Sequence, residues 1–305
     1  MQPHLKLIVK LQHFISLKGA EVIAVTGAGG QLGRTMLSAL RRRGILGLGF
    51  DRHELNIADQ NAVIQKLRPG VFDCIINCAA YTAVDDAEDH SRDAIAVNAA
   101  APKYLTGTGI PIMHISTDYV FDGRARQPYE VDSQTAPLSV YGRSKQMGEA
   151  ALLTSKACGC IIRTSRLYSP TAGTRSFFQT MLQLLSERQS LGVVSDQFSA
   201  PTLAEDLADA LVELYLQGAH LRSMQVLHFT NTGETSWLGF ASAIQERIGT
   251  TCKLEAIPAV QYPAKARRPH YSVLSLQSLQ AWRIKPRSWQ DALTEACVQC
   301  GRIKS

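Results

Sequence analysis

The chain has 305 residues, 45% of them hydrophobic and 19% charged, with a formal net charge of +6. That length can bury a large core in one or two domains, and the composition is that of a globular protein. Its basic residues are dispersed without interleaved aromatics, which argues against a nucleic-acid partner, and no apolar run reaches the ~20 residues of a membrane span.

Residues 1–20 set Leu5, Leu7, Ile8, Val9 and Leu11 beside Lys6, Lys10 and Lys18, with no acid. The lysines interrupt the apolar run and no small-residue cleavage site follows, so the segment reads as an N-terminal extension and not a secretory signal. An amphipathic targeting helix is the alternative. Val22-Ile23-Ala24-Val25 then reads as a strand, followed by a glycine-rich turn and a helix through about Arg43. Arg41-Arg42-Arg43 would complement the dipole at that helix's end. Residues 46–50 are a second strand, 58–67 a helix, 72–77 a third strand, 91–105 a helix, 110–116 a fourth strand and 160–163 a fifth. These strands are almost continuously apolar, as strands covered on both faces are. Strands alternating with helices predict right-handed βαβ units, hence an α/β fold with a doubly wound parallel (Rossmann) sheet.

Beyond Thr164 the regularity weakens. Helices are expected at 176–188 and 203–216, and a last strand of the main sheet at 226–230. The rest, including 236–248, Arg268-Pro269 and 282–293, suits a smaller C-terminal lobe over the sheet's carboxyl edge. The expected division is a dinucleotide-binding domain of 21–165 plus 203–232 and a substrate-binding lobe of 166–202 plus 233–305.

Seven cysteines occur, at 74, 78, 158, 160, 252, 297 and 300. The first four fall in apolar stretches that read as strands, where cysteine acts as a small hydrophobe. Cys297 and Cys300 form a lone C-x-x-C with no second pair, so no metal is expected. The odd count without a secretory signal favours a reducing cytoplasm.

Gly27, Gly30 and Gly33 stand in the spacing G-x-x-G-x-x-G between the first strand and its helix. Glycine there permits a tight turn and close backbone approach to a pyrophosphate seated on the helix N-terminus. Asp51-Arg52 follows the second strand. The acid would accept from an adenosine ribose hydroxyl and favour NAD, while the arginine would accommodate the 2′-phosphate of NADP. Asn56-Ile57 could flank the adenine, and Ala79-Ala80-Tyr81, after the third strand, is small enough to admit a cofactor.

Thr117 ends the fourth strand, and Tyr141 and Lys145 lie four apart, on one face of a helix. Reducing a ketone with a nicotinamide builds negative charge on the carbonyl oxygen, so a proton donor must meet it. Tyr141 is the expected donor, Lys145 the cation that favours its phenolate and holds the nicotinamide ribose, and Thr117 a hydrogen-bond donor to the developing alkoxide.

These residues resemble the extended short-chain dehydrogenase/reductase superfamily, and within it the dTDP-4-dehydrorhamnose reductase family, from residue 21 onward. The similar strings are Val25-Thr26-Gly27-Ala28-Gly29-Gly30-Gln31-Leu32-Gly33, Asn77-Cys78-Ala79-Ala80-Tyr81-Thr82-Ala83-Val84-Asp85 and Ser116-Thr117-Asp118-Tyr119-Val120-Phe121-Asp122-Gly123. Tyr141-Gly142-Arg143-Ser144-Lys145, Asp196-Gln197-Phe198-Ser199-Ala200-Pro201-Thr202 and Arg268-Pro269 complete the set. The resemblance implies NADPH or NADH reducing the 4-keto group of dTDP-4-dehydro-L-rhamnose, for surface polysaccharide. It implies Thr117, Tyr141 and Lys145 as the catalytic triad and Gln31, Leu32 and Asn98 at the cofactor, Asn98 helping to position the lysine. Thr82, Val84, Asp85, Asp118, Gln197 and Arg268 are implied at the sugar nucleotide. A homodimer is compatible with it.

The chain departs from the family pattern at several points. R-T-S-W-x-Y reads Arg163-Thr164-Ser165-Arg166-Leu167-Tyr168, so a cation that suits a phosphate or carboxylated sugar replaces a stacking tryptophan. An asparagine pair before Phe177 reads Arg175-Ser176, and R-P-x-N-S reads Arg268-Pro269-His270-Tyr271-Ser272. Thr35 stands where some relatives carry a magnesium-binding glutamate, so that metal is not expected. Two other readings share the scaffold: a nucleotide-sugar epimerase or dehydratase, and a non-catalytic subunit like the regulatory subunit of methionine adenosyltransferase. Asp118-Tyr119 in place of a dehydratase's acid pair argues against the first, and the intact triad against the second.

Overall fold

The computed structural model describes residues 21–171, 173 and 176–302. The N-terminal extension and Arg175 lie outside them. The first half alternates strictly. β1 (Val22–Thr26), α1 (Gln31–Arg42), β2 (Leu46–Phe50), α2 (Gln60–Lys66) and β3 (Cys74–Asn77) come first. Next α3 (Ser91–Ile95) runs through a π-turn at Ala96–Ala100 into α4 (Ala101–Thr106), before β4 (Ile112–Thr117), α5 (Val140–Leu153) and β5 (Gly159–Thr164). The second half is less regular: β6 (Leu167–Tyr168), α6 (Phe177–Glu187), β7 (Ser190–Val194), β8 (Phe198–Ser199), β9 (Thr202–Leu203) and α7 (Ala204–Leu216). It ends with β10 (Gln225–His228), β11 (Thr235–Ser236), α8 (Trp237–Ile248), β12 (Lys253–Ile257) and α9 (Trp289–Gln299).

Among the described residues the central sheet has six parallel strands in the order β2-β1-β3-β4-β5-β10. Every residue of β1, β3 and β5 is buried, which is why they read as unbroken apolar runs. Met36, Ala39 and Leu40 of α1 pack with Leu207 and Leu211 of α7 over one face, against Ile23, Val25 and Ile76. Val63, Leu67, Leu105 and Leu152 cover the other face, against Val22, Ala24 and Ile75. The strand order reverses at β1, so the crevice lies at the carboxyl ends of β1, β3 and β4, where ligands sit in such sheets.

A separate core built on Tyr168, Phe178, Phe240, Trp289 and Leu293 joins α6, α8 and α9. Serines cap these helices: Ser176, Ser236 and Ser288 each accept a backbone N–H of the first turn. Leu276, Leu279, Trp282 and Ile284, by contrast, pack on the core of the main sheet. Between the two, residues 282–293 are not one element. A 3₁₀ turn at Gln277–Trp282 gives way to Pro286, and α9 starts only at Trp289. Periodicity also missed the parallel pairing of β12 with β7, because β12 is mostly exposed and carries little apolar signal. Cys158, expected within a buried strand, is exposed just ahead of β5. No described helix is long and apolar enough to cross a membrane.

Candidate active site

The glycine turn is shaped by close approach. Gly27 has φ +69°, and a Cβ there would lie 2.6 Å from the Ala79 backbone nitrogen; one on Gly33 would lie 2.2 Å from Gly27 O. Gly30 caps α1 in extended conformation without a side chain, and no acid stands in the first turn. The N-terminal N–H groups are therefore left for an anion, which fits a dinucleotide pyrophosphate. Gln31 Oε1 is buried there without a hydrogen-bond partner, a further polar group suited to a ligand.

The cleft that starts at this turn encloses about 550 Å³ and runs past Ala80, Thr82, Val84, Thr117, Tyr141 and Lys145 to Arg166 and Trp237. Other expected cofactor residues are placed outside its walls. Asp51 sits beside Gly29, its carboxylate accepting from the His53 and Glu54 backbone, which lowers its pKa. Arg52 and Asn56 are exposed, and Ile57 is buried against the sheet with Phe50 and Leu55. Tyr81 turns outward and bonds Asp86. Asn98, in the π-turn, clasps the Tyr81 backbone (Tyr81 N to Oδ1 2.9 Å, Nδ2 to Tyr81 O 3.0 Å) and donates to Ser144 Oγ at 3.0 Å. It fastens the loop after β3 to α5 one residue from Lys145, rather than touching the ammonium.

The reacting groups are brought together by glycines. Ser139 caps α5 by accepting from Gly142 N at 3.1 Å. A Cβ on Gly142 would stand 2.3 Å from Tyr119 O, and one on Gly148 2.1 Å from Asn98 O. The helix therefore lies directly on the backbone past β4, and Tyr141 and Thr117 line the same cleft. Burial pushes the Tyr141 pKa up, Thr117 opposing, so the phenol is held protonated. The expected tuning by Lys145 is not in this arrangement. Its ε-nitrogen turns to the sheet, 2.6 Å from Ile115 O and 3.1 Å from His114 Nε2, and burial lowers its pKa to about 8, with Glu149 opposing.

Asp118 is buried and accepts from Ser272 Oγ at 2.5 Å and Thr117 Oγ1 at 3.1 Å; burial raises its pKa to about 6 against those bonds. Arg166, with φ +42°, lies over the Trp237 ring, its Cζ 4.0 Å from the ring centre, and donates to Thr235 O (2.8 Å) and Gln197 O (2.7 Å). Burial lowers its pKa to about 10, leaving it charged. Gln197 also accepts from Trp237 Nε1 at 3.2 Å, so the D-Q-x-x-x-P-T segment holds this stack in place. Asp85 and Arg268 face one another at 2.6 Å and tie the loop after β3 to the C-terminal part of the chain. Trp237 and His114 lie in no motif of the sequence, and Gly142 and Ser272, though inside the Y-G-R-S-K and R-P-x-N-S strings, carry no role that those strings announce; only their neighbours in the fold make them part of the site. Among the described residues no cluster of three or more His, Cys, Asp or Glu could hold a metal.

Residues 21–301 match the family model of the RmlD substrate binding domain. The chain is 38% identical over 277 residues to the spore coat polysaccharide biosynthesis protein SpsK of Bacillus subtilis, covering 90% of this chain and 95% of that protein. It is 37% identical over 284 residues to the dTDP-4-dehydrorhamnose reductase of Mycolicibacterium smegmatis, covering 91% and 85%. Its fold superposes with TM-score 0.86, at 31% identity over 92% of this chain and 99% of the other, on the dTDP-4-dehydrorhamnose reductase of Bacillus anthracis solved in complex with NADP.

Proposed function

This chain belongs to the family of the RmlD substrate binding domain, and on that footing we propose that it is an NAD(P)H-dependent oxidoreductase reducing the 4-keto group of dTDP-4-dehydro-L-rhamnose to give dTDP-L-rhamnose for polysaccharide. The observation that carries the reading is that Thr117, Tyr141 and Lys145 line one cleft, which opens at the glycine turn.

Gly27, Gly30, Gln31 and Gly33 would hold the dinucleotide, whose reduced nicotinamide supplies the hydride when bound. Tyr141, kept neutral by burial, gives its proton to the sugar's carbonyl oxygen as that oxygen becomes an alcohol. Thr117, its own oxygen held by the Tyr119 N–H, steadies the charge on that carbonyl oxygen by turning its one hydroxyl proton from Asp118 to it. Lys145 holds the ribose once it has turned away from the sheet. Arg166 on Trp237 forms the wall facing the sugar. Arg166 also favours a second reading within the same chemistry: a 4-keto sugar bearing an anionic group.

The purified protein mixed with NADPH or NADH and dTDP-4-dehydro-L-rhamnose should consume the reduced cofactor, read by its absorbance. Dinucleotide binding without any oxidation would overturn the reading for this sugar.

A further inference from the structure

A chain of buried polar groups crosses the sheet from the glycine turn to Lys145. Thr26 Oγ1 donates to Asn77 Oδ1 at 2.6 Å, and the Ala79 backbone N–H donates to the same oxygen at 3.2 Å. Asn77 Nδ2 lies 2.8 Å from His114 Nδ1, and His114 Nε2 lies 3.1 Å from Lys145 Nζ. All four side chains are 1% exposed or less.

The order of donors along this chain is forced from one end. A backbone N–H can only donate, so the Asn77 atom facing Ala79 is the carbonyl oxygen and the atom facing His114 is the amide nitrogen. An amide nitrogen has no lone pair to offer, so His114 Nδ1 must accept. A neutral imidazole then carries its proton on Nε2, pointing at Lys145. An ammonium cannot accept that proton; a neutral amine can, while donating one of its own hydrogens to Ile115 O. Burial pushes the His114 pKa well below its usual value, in agreement with a neutral ring.

We propose that His114, its tautomer set by Asn77, is a positioning residue that holds Lys145 against β4 as a neutral amine, so that Lys145 gains a proton when it swings out to take the dinucleotide. The proposal rests on Lys145 being a cofactor residue, as in the reading above. The other titratable groups around Lys145 leave this balance standing. Glu149, one turn along α5, is held by Arg163 of β5 at 2.7 Å, both almost fully buried. Tyr141 on the same helix is neutral, Cys78 after β3 is pushed up to about 12 by burial, and Asp118 after β4 is engaged by Ser272 and Thr117.

The first test needs no variant. Nitrogen-15 spectra of histidine-labelled protein without dinucleotide near pH 9 should show His114 neutral with its proton on Nε2; a proton on Nδ1, or an imidazolium, overturns the proposal. The second is calorimetry of NADP binding in buffers of different ionisation enthalpy. Wild type should take up about one proton per dinucleotide near pH 9 and far less near pH 7. Asn77→Asp offers a carboxylate to His114, which reverses the tautomer and lets Lys145 stay charged. It should lose most of that uptake, while a merely structural Asn77 would leave it unchanged. Uptake in Asn77→Asp equal to wild type also overturns the proposal. Failure to bind NADP at all would instead strike the cofactor reading, and the histidine spectra would still decide this one.

Discussion

The guanidinium of Arg166 lies 4.0 Å from the centre of the Trp237 ring, with two of its donors spent on the carbonyls of Thr235 and Gln197. Two N–H bonds out of five leave the cation able to donate further into the cleft. Where the family pattern has an aromatic platform, this chain has a clamped charge on top of one.

Replacing that charge tests which sugar it serves. Arg166→Trp should raise kcat/KM for dTDP-4-dehydro-L-rhamnose severalfold and lower it for a sugar bearing a carboxylate. Arg166→Ala, which loses a partly buried cation–π contact of ~1 kcal/mol, should weaken both. An unchanged ranking of the two sugars across all three proteins would remove Arg166 from the sugar site.

Tyr141→Phe deletes one hydroxyl and leaves the ring that packs edge-on against Tyr119 at 5.8 Å. Turnover should fall by about 10²–10⁴, the usual worth of a positioned proton donor, with dinucleotide affinity retained. Thr117→Val should cost roughly 10²–10³ in kcat, as loss of an oxyanion donor does. Single-turnover rates beside a binding titration separate these effects from loss of cofactor.

Gly33→Ala forces a methyl to 2.2 Å from Gly27 O, so the turn must open. NADPH binding, followed by its fluorescence, should fall at least tenfold. Gly27→Ala adds the cost of a left-handed residue, about 1–2 kcal/mol, to a clash with the Ala79 backbone, and should lower the melting temperature as well.

Lys145 makes a prediction about stability and pH. Its pKa falls from 10.5 to about 8 on folding, with burial the main cause. Between those values the unfolded chain holds a proton that the fold has released, so stability rises with pH across that window; below about pH 8 the full cost of the buried charge is present. Lys145→Met lacks this dependence. Its stability relative to wild type should therefore decline by about 3 kcal/mol from pH 7 to pH 10.5, measured by urea unfolding at each pH.

The parts legible in sequence were those written in adjacent residues. Strands buried on both faces announce themselves as apolar runs, and Gly27, Gly30 and Gly33 act through the backbone of one turn. The spacing of Tyr141 and Lys145 put them on one face of a helix, yet could not tell which way the lysine would turn. Its partner His114 lies 31 positions away on β4, and the tautomer that decides the matter depends on Asn77 from another strand. Ser272 reaches Asp118 across 154 positions. Arg166 stood out as a departure from a pattern, but only the fold shows it resting on Trp237. Asp85 and Arg268, both expected at the sugar, are spent first on each other.

The π-turn at Ala96–Ala100 bears on how this chain can change in length. Deleting one residue there would let the helix regain regular bonding, and by helical bookkeeping alone would look harmless. Because a π-turn spreads five residues over about the rotation of four α-helical ones, the flanking turns would keep their faces. What would be lost is the widened turn that carries Asn98, and with it the clasp on the Tyr81 backbone and the bond to Ser144 that fasten the loop over the cleft to α5. The segment thus tolerates substitutions of side chain far better than removal of its extra residue.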